Sequence, residues 1–78
     1  MNNAPINDKH INDKREKLIE RSTVCWFTLY KDYRLQGFTD NQSAIYADSD
    51  IGGIVSWHKL TRDEKAIVGK FTQGLRYN

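Results

Sequence analysis

The sequence predicts an all-α fold, a compact three- or four-helix domain built on one long N-terminal helix. Three observations carry that expectation. Apolar residues recur with helical period from Asn12 to Phe38. Two capping signatures, Thr39-Asp40-Asn41-Gln42 and Thr61-Arg62-Asp63-Glu64, open further helices, and glycines fall where helices would stop. A chain of 78 residues supports one hydrophobic core, so a single helical domain is expected over 12–76. Residues 1–11 read as a disordered arm, because Pro5, the asparagines and short polar side chains cannot bury enough to offset the entropy of ordering.

The long helix comes first. Asn12 or Asp13 suits the N-cap, and Asp13 and Glu16 suit the positive end of the helix dipole. With Leu18 at zero and about 100° per residue, Leu18, Ile19, Cys25, Trp26, Leu29, Tyr30 and Tyr33 form one stripe between about 340° and about 120°. Lys17, Glu20, Arg21, Thr28 and Lys31 fall between about 200° and about 300°, so the opposite side is polar. Val24, at about 240°, and Phe27, at about 180°, interrupt it. A bent helix or another packed element would cover them; left open, they form a contact surface. Gly37 suits the left-handed position after the helix, with Phe38 folding back on Tyr33.

The second helix starts at the Thr39 capping box. Ala44, Ala47, Ile51, Val55 and His58 recur at helical spacing toward Leu60, but Asp48-Ser49-Asp50 and Gly52-Gly53 weaken a helix. Two short helices, or one with a kink, are expected. An α+β fold with a short hairpin around 51–60 is the alternative, since Ile54, Val55 and Trp57 favour strands. The last helix is capped by Thr61 and Glu64, with Ala66, Ile67 and Phe71 as its buried face and Gly74 as its end.

Composition excludes several function classes. Cys25 is the only cysteine, so no intramolecular disulfide can form, and a reducing compartment is expected. There is no long apolar run and no signal-like N-terminus, which points to a cytoplasmic protein with no membrane contact. His10, His58 and Cys25 have no metal-ligand spacing, and Cys25 sits in the apolar stripe, where a thiol is inert. His58, near a helix end, reads as a capping or half-buried histidine, with a pH-sensitive contact as the functional alternative. Asp48 and Asp50 resemble the opening of a calcium loop, but Lys59 stands where the bidentate glutamate belongs. No phosphate-binding loop, serine elbow or zinc-protease motif occurs, and a chain this short has little room for a water-excluded cleft. Neither an enzyme nor a cofactor is expected.

Twelve basic and ten acidic residues leave a net charge of +2, and only residues 58–78 are distinctly basic. Lys59, Arg62, Lys65, Lys70 and Arg76, interleaved with Trp57, Phe71 and Tyr77, define an alternative function, a small DNA- or RNA-binding module. Asp63 and Glu64 dilute that arc, so a solvated basic face is the simpler expectation. The leading expectation is a small non-enzymatic regulator or inhibitor that binds a larger protein partner, either as a monomer or as a homodimer. Val24, Phe27 and Trp57 are its anchors, because all three lie off the stripes of their own segments and aromatic anchors dominate interfaces. In length, polarity and lack of catalytic motifs, the chain looks like small accessory proteins of bacteria, plasmids and phages, a likeness of style that assigns no residue a role.

Overall fold

The computed structural model describes residues 3–76, with side chains from Asp13 onward. It contains four helices: α1 (Asn3–Leu35), α2 (Asp40–Ile51), α3 (Val55–His58) and α4 (Arg62–Arg76). The all-α expectation holds, and no strand occurs among the described residues. The arm expected over 1–11 lies outside the residues described in full. Asp13 is already inside α1, so it is not the cap.

The α1–α2 turn follows the sequence closely. Gly37 takes a positive φ of 99°, a conformation that glycine adopts without the Cβ clash. Phe38 N–H donates to the Tyr33 carbonyl at 3.1 Å, closing the end of α1, and the Phe38 ring meets Tyr33 edge-on at 5.8 Å. Tyr46 of α2 completes this small aromatic group, 5.2 Å from Phe38 and 5.0 Å from Tyr33. The expected capping box is present: Gln42 N–H donates to Thr39 Oγ1 at 3.2 Å, and the Gln42 side chain accepts from Thr39 N–H at 3.1 Å.

α1 is the spine on which α2, α3 and α4 all pack. The core joins Trp26 and Tyr30 of α1 to Ala44, Ala47 and Ile51 of α2, with Leu60 and Val68 also buried. The α2 contribution is small, which lets the helices approach closely enough for the two large rings to fill the gap. Ser22 and Ser43 are fully buried in the same way, and their hydroxyls have no partner among the described residues. Buried Thr23 instead donates to the Ile19 carbonyl at 2.8 Å, one turn back in its own helix.

Three aromatic side chains of α1 carry polar tips, and each donates to an aspartate of α2. Trp26 Nε1–H reaches Asp48 at 2.6 Å, Tyr30 O–H reaches Asp40 at 2.6 Å, and Tyr33 O–H reaches Asp50. These hydrogen bonds push both tyrosines above the ordinary phenol range. The paired aspartates that resemble a calcium loop are thus acceptors for aromatic donors.

Two expectations need correction. The hairpin around 51–60 does not form: α2 ends at Ile51, Gly52-Gly53 make the turn, and Val55–His58 form α3. That turn rephases the chain, so Val55 is exposed while Ile54 and Trp57 pack on the core. Nor does Gly74 end the last helix, which continues to Arg76, where the guanidinium is anchored on Asp40 of α2.

The packing gives a stability test. Ser43→Ala removes a buried hydroxyl that has no partner among the described residues and is expected to raise stability by about 1 kcal/mol, whereas Ala47→Leu overfills the α1–α2 gap and costs about 1–3 kcal/mol. Urea denaturation followed by circular dichroism reads both; a destabilised Ser43→Ala would show that the serine has a partner after all.

Candidate functional site

The position of α4 decides what α1 leaves uncovered. Its capping box forms as expected, with Glu64 N–H donating to Thr61 Oγ1 at 3.2 Å and Thr61 N–H to Glu64 at 2.8 Å. The same carboxylate accepts from Arg15 of α1, whose Nε is 2.7 Å away and whose other guanidinium nitrogen closes an ion pair. At the far end, Arg76 donates to both Asp40 oxygens, at 3.1 and 2.8 Å. One pin ties α4 to α1 and the other ties it to α2. Between them α4 runs alongside α1 in the same direction.

Within that arrangement the buried face of α4 differs from the expected one. Val68 and Thr72 are buried, while Ala66 and Ile67 are exposed and Phe71 is 54% exposed. From Val68, Ile67 and Phe71 lie about 60–100° around the helix, at the edge of the contact. The pins at Glu64 and Arg76 fix the rotation of α4, and with it they hold Ile67 and Phe71 at the rim.

The result is an open apolar surface shared by α1 and α4. Ile19 of α1 and Ile67 and Phe71 of α4, bordered by Glu16 and Glu20, line one groove. Further along, Val24, Phe27 and Leu35 of α1 and Leu75 of α4 line a second groove of about 440 Å³, with Lys31 and Asp32 at its margin. Val24, 64% exposed, also forms a wall of a third depression with Glu20, Arg21, Cys25 and Ser56, so it stands as a ridge between two hollows. Phe27 is half-buried: its ring stacks on Tyr30 at 6.0 Å, and the Lys31 ammonium lies 5.4 Å from its centre. Two of the three expected anchors therefore meet in one place.

Trp57 does not line that surface. It packs half-buried against the core, with the Lys65 ammonium 5.3 Å from its ring centre. The basic residues also divide. Arg76 is committed to Asp40 and Lys65 lies over Trp57, whereas Lys59, Arg62 and Lys70 are exposed. His58 Nε2 meets the Gly52 carbonyl across the α2–α3 turn, and Cys25 is half-buried beside the core. Among the described residues, no group of three or more His, Cys, Asp or Glu is placed to hold a metal, and no helix is long and apolar enough to cross a membrane.

The sequence reading missed Ile67, Phe71, Leu75 and Leu35 as parts of this surface. For the three on α4 a signal is present, since Ile67, Phe71 and Leu75 repeat every four residues along one side of the helix. No family model, curated protein or solved structure matches the chain.

The two pins make the placement of α4 sensitive to acid. The Arg76 guanidinium, helped by the Tyr30 hydroxyl, holds Asp40 at about 2, and Arg15, helped by the Thr61 N–H, holds Glu64 at about 2. Both carboxyls lie below their ordinary values, so each favours the folded state while ionised. That contribution is complete above about pH 5 and is lost as the pH falls toward about 2. The urea midpoint is expected to fall across that window, and Arg15→Met to flatten the fall. Equal acid dependence in the two proteins would count against the Arg15–Glu64 pin.

Proposed function

We propose that the protein is a small non-enzymatic binding protein of the cytoplasm that regulates or inhibits a larger protein by occluding it with the Val24–Phe27 face. One observation carries the reading: α1 and α4 present large apolar side chains side by side on the surface of a domain too small to spare them from its core. Val24 and Leu35 are 64% and 84% exposed. Burying a side chain of this size contributes about 1.5–3 kcal/mol, so an uncovered cluster represents binding energy still available. The anchors are Val24 and Phe27; Trp57, packed against the core under Lys65, is not one of them. The charged rim of Glu16, Glu20 and Lys31 supplies orientation more than affinity.

The test is capture on immobilised protein, comparing the wild type with Val24→Asp. Val24 is exposed, so the variant is expected to keep its helical circular dichroism while its capture of any specific partner drops by about tenfold or more. Identical captured proteins in identical amounts would overturn the reading. Under the nucleic-acid alternative, Lys70→Ala would instead lower affinity for DNA or RNA, and binding would weaken steeply with salt.

A further inference from the structure

We infer that the resting occupant of this face is a second copy of the chain, docked antiparallel along α1 about a two-fold axis passing beside Val24 and Phe27. The inference rests on the reading of that face as a docking surface and names what covers it. Glu20, Val24, Phe27 and Lys31 are spaced by four, three and four residues, the spacing that keeps side chains on one seam of a helix. Glu20 and Lys31 are exposed, Val24 is a ridge, and Phe27 is open on the groove side.

The order of these residues is self-complementary. Turning a second copy end over end about the point midway between Cys25 and Trp26 brings Val24 opposite the partner's Phe27 and Glu20 opposite the partner's Lys31. Two-fold symmetry makes each contact twice. Glu16 and Arg34 both lie at about 160° from Leu18, on one flank of the seam, and the same rotation brings Glu16 beside the partner's Arg34. Lys17, at about 260°, lies on the other flank and meets the partner's Leu35, so the two basic groups avoid each other. A parallel pairing would set Glu20 against Glu20 and Lys31 against Lys31, which charge repulsion disfavours.

The size of the surface fits a modest dimer. From Glu16 to Leu35 the face is about 30 Å long and two helices wide, on the order of 600 Å² per copy, at the lower end of specific interfaces. A monomer–dimer equilibrium follows. A larger partner engaging Val24 and Phe27 competes with the second copy, so self-association sets how much of the face is available.

Charge exchange tests the geometry without touching the core. By sedimentation equilibrium the wild type is expected to dimerise, while Glu20→Lys and Lys31→Glu, each helical by circular dichroism, dimerise at least about tenfold more weakly. An equimolar mixture of the two variants restores both ion pairs in a heterodimer and is expected to associate like the wild type. The inference is overturned if the wild type stays monomeric to about 200 μM, a range that reaches weak dimers. It is equally overturned if the single reversals dimerise normally, or if the mixture remains monomeric. A monomeric wild type whose partner capture still depends on Val24 would remove self-docking and leave the face as a binding surface. Obedience to the charge rule without Val24-dependent capture would support self-docking alone.

Discussion

Three hydrogen bonds between the aromatic tips of one helix and the aspartates of the next are the constraint on which the rest of the structure depends. Trp26, Tyr30 and Tyr33 could set their rings against any small-residue surface, but the part-buried Trp26 N–H and Tyr30 O–H need acceptors, and the more exposed Tyr33 O–H adds a third bond. Asp48, Asp40 and Asp50 provide them and thereby fix how α2 lies on α1. Ala44 and Ala47 then fill what space the rings leave, and Asp40, held by Tyr30, becomes the post to which Arg76 ties the end of α4. One carboxylate thus links three helices.

The same constraint explains why the proposed binding face lies on the opposite side. With α2, α3 and α4 all packed on α1 and α4 pinned by Arg15 and Arg76, the spine is covered along one side only. A domain of this size buries roughly 60–65% of its unfolded surface, so it has little stability in reserve. Covering Val24, Phe27, Leu35 and Phe71 with another protein surface would supply what the small core lacks. Stability and binding become two uses of one set of side chains.

Much of the fold was legible in the sequence because its signals are local. Gly37 with Phe38, the Thr39–Gln42 box and the Thr61–Glu64 box each declare themselves within six residues, and the stripe through Trp26 and Tyr30 is visible from period alone. Val24 and Phe27 stood out as exceptions to that period. What stayed hidden depends on contacts distant in sequence. Ser22 and Thr23 are buried although a hydrophobic pattern passes over small polar residues. Ile67 and Phe71 looked like core until Arg15 and Arg76 fixed the rotation of α4, and Gly74 looked like a terminus until Arg76 found Asp40.

The most direct measurement of this account is a double-mutant cycle between Trp26→Phe and Asp48→Ala, read by urea denaturation. If the aromatic-to-aspartate bonds organise the helices, the two substitutions are coupled by about 1–2 kcal/mol, because each alone removes the partner of the other. Additive effects within about 0.3 kcal/mol would mean that the Trp26 tip and the Asp48 carboxylate act independently, and the account would be contradicted at its base.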